Sequence, residues 1–220
     1  DGTALPTWLA FNPSTRTFTG TPGNADVGNL EVLVTATDTG GLSASDAFTL
    51  SVLNANDAPV VGTALVDQLA DEDSPFSFTV PAHVFADDDS IHGDTLTYAA
   101  TLADGSALPT WLGFDAVTRT FSGTPLNNDV GSLDVRVTAT DTAGDSAFQT
   151  FSLSVNNTND APVVAYELAD QVVDEDSPFS ATIPSGAFAD DDVIHGDTLS
   201  YTATLTDGTA LPAWLSFDAD

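Results

Sequence analysis

Apolar and polar residues alternate along several short stretches of the chain, a period of two that is typical of β-strands with one buried face. The alternation is clearest over residues 133–139 and 147–155, with shorter examples over 76–80, 96–98 and 119–122. Gly, Asn and Asp clusters separate these stretches, and no stretch has helical spacing over a useful length. The pattern predicts an all-β fold of about seven short strands per repeat unit, a Greek-key sandwich of immunoglobulin type.

The sequence repeats itself at an offset of 103 residues. Asp-Gly-Thr-Ala-Leu-Pro at residue 1 returns closely at 104 and 207, and Asn-Asp-Ala-Pro at 56 returns at 159. A unit of this length is a whole domain, and the Pro-containing segments predict short, stiff boundaries between domains. We therefore expect the C-terminal half of a domain over 1–57 (the first repeat), a complete domain over 58–160 (the middle repeat) and the N-terminal half of a third over 161–220 (the third repeat). Such a chain is expected to be a fragment of a longer protein.

Acidic residues dominate the charge of the chain. Asp and Glu number 33 against 3 Lys and Arg, and Cys is absent. Nucleic acids and anionic membranes are bound by basic surfaces, so we predict neither as a partner. No segment has the length and apolarity of a transmembrane helix, so direct membrane insertion is not expected. The absence of Cys excludes disulfides and zinc–thiolate sites, and the composition is typical of an extracellular bacterial protein.

Two acidic loops, residues 86–94 and 189–197, have nearly the same sequence. Each places four carboxylates within eight residues, and carboxylates this close repel one another unless water or a cation separates them. Oxygen-rich clusters of this kind suit a hard cation such as Ca²⁺. The alternative is a solvated, salt-adapted acidic surface, which would need no bound ion.

Five motifs resemble those of cadherin repeats, and the whole chain is similar to the dystroglycan-type cadherin-like domains of large bacterial surface proteins. The motifs are Asp-Glu-Asp at 71–73, Asp-x-Asp at 87–89, a Phe-to-Gly hairpin at 114–123, Ala-Thr-Asp-Thr-Ala-Gly at 139–144 and Asn-Asp-Ala-Pro at 159–162. Two features depart from the family. Asn-Asn-Asp at 127–129 replaces its Asp-Arg-Glu segment, and Ala58 and Ala161 replace a linker Asn. The poorer ligand set implies weaker or fewer bound ions than in vertebrate cadherins.

The resemblance implies Ca²⁺ between consecutive repeats, with ligands from the upstream repeat, the linker and the downstream repeat. For the first junction the implied ligands are Asp26, Asn56, Asp57, Asp87, Asp89, Asp94 and Asp141. For the second junction they are Glu72, Asp129, Asn159, Asp160, Asp190, Asp192 and Asp197. Binding is expected to be more reliable at the first junction, which adjoins the complete middle repeat. The implied function is that of calcium-stiffened extender repeats of an extracellular or cell-surface adhesin, with neighbouring repeats as partners.

Two other functions remain open at this point. Domains of the resembled type also accompany polysaccharide-degrading proteins, so the chain could be a calcium-dependent carbohydrate-binding module. Half-domains of neighbouring chains could also complement one another head to tail and form open filaments. We do not expect an enzyme, because no single cleft collects a carboxylate pair.

Two residue types that could form sites have simpler interpretations. Trp8, Trp111 and Trp214 lie between apolar neighbours in Leu-Pro-x-Trp-Leu, which favours packing in the core over a sugar-stacking platform. His92 and His195 lie in the acidic loops, but imidazole is a poor ligand for Ca²⁺, so they are expected to be loop histidines beside acidic groups.

Overall fold

The computed structural model of the chain describes residues 3–219, which are built mainly of short strands. The strands are β1 (Leu9–Asn12), β2 (Thr17–Gly20), β3 (Gly28–Thr37), β4 (Ser43–Val52), β5 (Val60–Val61), β6 (Gln68–Asp71), β7 (Phe76–Thr79), β8 (Phe85–Ala86), β9 (Thr97–Leu102), β10 (Leu112–Asp115), β11 (Thr120–Gly123), β12 (Gly131–Thr140), β13 (Ser146–Asn156), β14 (Val163–Val164) and β15 (Phe188–Ala189). Single 3₁₀ turns cover Asn24–Asp26, Asp88–His92, Asn127–Asp129 and Asp191–His195. Within the described residues, no helix has both the length and the apolarity to cross a membrane.

The middle repeat contains two sheets with a shared core. One sheet has the strand order β6-β13-β12-β9 and the other β10-β11-β7, while β5 pairs with β8. All pairings are antiparallel except the parallel pair β13–β6. The all-β tandem sandwich is therefore confirmed. The middle repeat has more strands than the seven expected. Two of them, β5 and β8, are only two residues long, too short to show an alternating pattern in the sequence.

The core of the middle repeat is centred on Phe121 of β11, which is fully buried. Its ring lies 4.6 Å from that of Phe114 and 5.6 Å from that of Phe151, measured between centroids. In β12, Val135 and Val137 are also fully buried, because every second side chain of a strand points to the same face. The alternation found in the sequence thus marks the faces that meet in the core.

Gly123 allows β11 to lie directly against the backbone of Trp111. A Cβ built on Gly123 would lie 1.8 Å from the Trp111 carbonyl oxygen, and one on Gly20 would lie 2.2 Å from that of Trp8. Trp111 packs against the core, as expected, and only glycine permits so close an approach of two backbones. Trp214, in contrast, is 70% exposed, which differs from the expected core position.

The outer repeats contain parts of the same sandwich. The hairpins β1–β2 and β3–β4 of the first repeat correspond, at the offset of 103, to β10–β11 and β12–β13. In the third repeat only β14 and β15 pair among the described residues. In the middle repeat, β6, β7 and β9 pair with β13, β11 and β12. Those three pairings have no counterpart among the described residues of the third repeat, where Trp214 is exposed.

Candidate calcium-binding junctions

Each acidic loop folds into a capped 3₁₀ turn. Asp87 precedes the first turn and accepts a hydrogen bond from the backbone N–H of Asp89 at 2.9 Å, while Asp190 accepts from Asp192 at 3.0 Å. The turn ends at Gly93, whose φ of 97° is in the left-handed region that favours glycine. The Asp-rich start and the Gly stop are therefore needed for the local fold, before any role in binding.

Three carboxylates converge beside the first acidic loop. Asp87, Asp94 and Asp141 each have an oxygen within 4.8 Å of the others. Asp141 is buried at the β12–β13 turn, where its Oδ1 accepts from the N–H groups of Gly144 and Asp145 at 2.7 and 2.8 Å. The fold thus brings together loop residues and a strand-end residue that are about half a repeat apart in sequence.

Few basic side chains are available to balance the charge of this cluster. At the separation given above, three like-charged carboxylates repel one another. The chain has only three Arg and no Lys, and two of the Arg side chains pack elsewhere, Arg119 over Tyr98 and Arg136 over Phe148. A cation between the carboxylates would remove the repulsion.

Asp94 is held in its ionised form by Thr142. The Thr142 hydroxyl donates to Asp94 Oδ1 at 2.6 Å, and the N–H groups of Thr142 and Thr95 donate to the same oxygen at 3.1 and 2.6 Å. These bonds lower the pKa of Asp94, with the Thr142 hydroxyl as the largest cause and partial burial opposing it. An anionic carboxylate is the form that binds a hard cation.

The linker of the first junction is bonded to the downstream acidic groups. The Asp57 N–H donates to Asp89 Oδ2 at 2.6 Å, and the Asn56 amide nitrogen lies 3.1 Å from Asp141 Oδ2 and 3.0 Å from Asp145 Oδ2. Asp89 is 1% exposed and its Oδ1 has no hydrogen-bond partner. The Asn56 amide, a donor between two carboxylates, marks a place where positive charge is favourable.

The upstream repeat reaches the junction through Asn24. Its side-chain amide nitrogen donates to Asp57 Oδ2 at 2.9 Å, and its backbone carbonyl oxygen lies 2.8 Å from His92 Nε2. Asp26, the residue implied by the resemblance, accepts from the Gly23 N–H at 2.9 Å and caps its own 3₁₀ turn. Asp26 is not among the three carboxylates that lie within 4.8 Å of one another.

The second junction repeats this arrangement. Asp190, Asp192 and Asp197 have oxygens within 4.8 Å of one another, and the Asp160 N–H donates to the buried Asp192. Asp129 accepts from the Leu126 N–H at 2.9 Å, as Asp26 does from Gly23. The two junctions therefore share the capped turn and the bond from the linker N–H, but their clusters differ, because the second includes Asp192 and the first includes the strand-end Asp141.

Glu72 brings a buried carboxylate from the upstream repeat to the second junction. It is fully buried, its Oε1 accepts from the Thr158 N–H of the linker at 2.7 Å, and its Oε2 has no hydrogen-bond partner. The Asn157 amide donates to Asp192 Oδ1 at 2.9 Å, whereas the Asn159 amide donates to the carbonyl oxygen of Asp160. Glu72 thus lies beside the linker of the second junction, and its role as a calcium ligand stays a prediction.

Some junction residues were not identified from the sequence. Asn24, Asn127 and Asn157 make side-chain contacts there, and their amides carry no charge signal. Asp145 was missed because Leu42 occupies the equivalent place in the first repeat, so repetition gave no hint of it.

This arrangement of tandem sandwiches with acidic junctions defines a class of immunoglobulin-like repeat proteins. The model of the He_PIG family, described as "Putative Ig domain", matches residues 1–53, 58–156 and 161–220. The chain belongs to this family. The narrower assignment to dystroglycan-type domains stays a prediction.

Comparison with curated and solved proteins agrees with the fold. The serine-rich adhesin for platelets of Staphylococcus aureus strain MRSA252 is 32% identical over 153 residues, which cover 70% of this chain and 10% of the adhesin. The corresponding adhesin of strain USA300 is equally similar, with 6% of its length covered. The chain thus spans a tenth or less of these relatives.

Two solved protocadherin structures share the architecture. Protocadherin gammaB7 EC3-6 matches with a TM-score of 0.52 at 19% identity, over 76% of this chain and 44% of that one. Mouse clustered PcdhgC3 EC1-3 matches with a TM-score of 0.50 at 18% identity, over 70% of this chain and 54% of that one. At this identity the likeness establishes the fold alone.

Proposed function

We propose that the chain consists of calcium-binding extender repeats of a large adhesin at the cell surface or in the extracellular medium. One observation carries the proposal. Among the described residues, the buried side-chain oxygens that lack a hydrogen-bond partner all belong to the two junctions: Glu72 Oε2, Asp87 Oδ2, Asp89 Oδ1 and Asn127 Oδ1. Buried oxygens of this kind are costly unless something binds them, and a cation would bind several at once.

Calcium would join the linker to the downstream repeat at the first junction. It takes about six to eight oxygen ligands, and at the first junction the converging carboxylates Asp87, Asp94 and Asp141 supply the first of them. Asn56 would contribute once its amide turns to present Oδ1 in place of its nitrogen. The ion would then hold the linker to the middle repeat, and fixed linkers between successive repeats would stiffen the chain into a rod.

The relatives support a non-enzymatic role in adhesion. The curated relatives are adhesins by name, and the matching family is an immunoglobulin-like domain family. The carboxylates lie between repeats and not in a catalytic cleft. We assign the repeats to the spacing and presentation of an adhesive part, with adjacent repeats as their direct partners, and we place them with the dystroglycan-type cadherin-like domains on the order of their motifs.

Thermal unfolding in calcium and in chelator tests this function. Extracellular modules bind calcium with Kd values of about 10⁻⁴ to 10⁻³ M. A free calcium concentration about 100 times Kd stabilises the folded state by about 2.7 kcal/mol, so the melting temperature is expected to rise by several degrees over that in EDTA. NaCl of the same ionic strength is the control, because it screens the carboxylates without joining them. An equal rise in NaCl contradicts the proposal.

A further inference from the structure

The same two contacts occur at both junctions, one between consecutive repeats and one to the linker Asp. At the first, His92 Nε2 lies 2.8 Å from the carbonyl oxygen of Asn24, and the Asn24 amide donates to Asp57 Oδ2 at 2.9 Å. At the second, His195 lies 2.8 Å from the carbonyl oxygen of Asn127, whose amide donates to Asp160 Oδ2 at 3.0 Å. We call each set the Asn–His contact.

In each Asn–His contact, the histidine Nε2 and the asparagine side-chain nitrogen are hydrogen-bond donors. A backbone carbonyl only accepts, so the histidine Nε2 carries the hydrogen, which both the imidazolium and one neutral tautomer provide. The asparagine likewise presents its amide nitrogen. Atoms that donate hydrogen bonds cannot at the same time coordinate a cation, so the His92 Nε2 and the Asn24 amide nitrogen are not cation ligands and their contacts require no cation.

Both ends of the contact lie on locally fixed backbone. Asn24 begins a 3₁₀ turn closed by the bond from the Gly23 N–H to Asp26. His92 ends the turn of the acidic loop, which Gly93 terminates in the left-handed conformation. A bond between two fixed turns, one in each repeat, restricts the rotation of one repeat against the other.

We infer that the Asn–His contacts orient consecutive repeats before any cation binds, and that Asn24, His92, Asn127 and His195 are positioning residues of the junctions. They hold the acidic loop of one repeat, and the linker Asp, against the 3₁₀ turn of the repeat before it. A cation would then enter a junction whose carboxylates already converge. The inference concerns the cation-free chain, so it can fail while calcium binding stands, and the reverse.

Distance measurements between spin labels test this inference. The chain has no Cys, so Leu42→Cys in the first repeat and Val117→Cys in the middle repeat introduce the only two labelling sites, both at exposed side chains. Double electron–electron resonance is recorded on the whole 220-residue chain in EDTA. A narrow distance distribution is expected with the native His92, and a broad one with His92→Ala.

The size of the change follows from one lost hydrogen bond. The ratio of oriented to reoriented junctions is expected to fall about fivefold in His92→Ala. His92→Gln keeps a nitrogen donor at similar reach and should restore the narrow distribution. The control is His83→Ala, a change at an exposed histidine outside the acidic loop, which should leave the narrow distance distribution of the native chain unaltered.

Two results would overturn the inference. One is a distribution in EDTA that is already as broad with the native His92 as with His92→Ala. The other is a His92→Ala distribution as narrow as that of the native residue. His92 is exposed, so the variant is expected to fold, and an unchanged melting temperature in EDTA verifies this. Calcium binding, measured separately by titration, decides the proposed function whichever way the distances fall.

Discussion

Replacing Glu72 by Gln is expected to have opposite effects in chelator and in calcium. Glu72 is fully buried, with Oε1 bonded to the Thr158 N–H and Oε2 without a partner. Gln keeps an oxygen for the Thr158 N–H and removes the charge. Since the burial of an unpaired charge is the larger penalty, the variant in EDTA should be at least as stable as the unaltered chain.

The effect in calcium follows from linkage. At free calcium about 100 times Kd the unaltered chain gains about 2.7 kcal/mol of stability. If the loss of one carboxylate ligand weakens binding about tenfold, the Glu72→Gln variant at the same calcium concentration gains only about 1.4 kcal/mol. The order of stability of the two proteins is therefore expected to reverse, or their difference to shift by about 1 kcal/mol.

Denaturant unfolding followed by NMR cross-peaks of β12 and β13 reports the free energy of unfolding of the middle repeat alone. The matched control is Glu175→Gln, which lies in the same local sequence one repeat later but is exposed. It should change stability little in either solution. An equal loss of stability for Glu72→Gln in EDTA and in calcium would show that Glu72 has a purely structural role and would contradict this prediction.

Two further predictions concern the fold and its charges. Gly123→Ala should lower the melting temperature sharply because its Cβ would lie 1.8 Å from the Trp111 carbonyl oxygen. The control Gly113→Ala should lower the melting temperature little, since its Cβ would lie 3.6 Å from the nearest atom. Equal effects of the two variants in thermal melts contradict this prediction. Ser106→Ala should raise the pKa of Asp104 toward its ordinary value, because the Ser106 hydroxyl is the main cause of its lowering. Because the pKa of Asp104 is lowered in the folded state, its carboxylate adds stability at pH values above the ordinary pKa of 3.8, and this stability is lost as the pH falls through the folded pKa. A carboxyl-carbon NMR titration measures the pKa shift in Ser106→Ala, and an unchanged pKa contradicts the assignment.

Much of the fold could be predicted from local patterns. The alternation in β12 and β13 identifies their buried faces because the side-chain period of a strand is two, and the offset of the repeats carries this prediction into β3 and β4. The pairs β5–β8 and β14–β15 could not be found in this way. Each of their strands has two residues, too few to show a period of two. These pairs form because the fold brings two segments that are distant in sequence side by side.

The candidate site was predicted less completely than the fold. Carboxylates leave a clear signal in sequence, so Asp87, Asp94 and Asp141 could be proposed together, and the structure does bring them within 4.8 Å of one another. The neutral residue Asn24 gave no such signal. Its role depends on a contact with His92 across 68 positions, which only the arrangement of the repeats reveals.

Anomalous X-ray diffraction from crystals of the chain grown in calcium tests the central claim most directly. A calcium peak is expected between Asp87, Asp94 and Asp141 and another beside Asp190, Asp192 and Asp197, each about 2.3–2.6 Å from carboxylate oxygens. Buffers with calcium replaced by sodium provide the control. Crystals that diffract well in saturating calcium and show no anomalous peak at either junction would contradict the account.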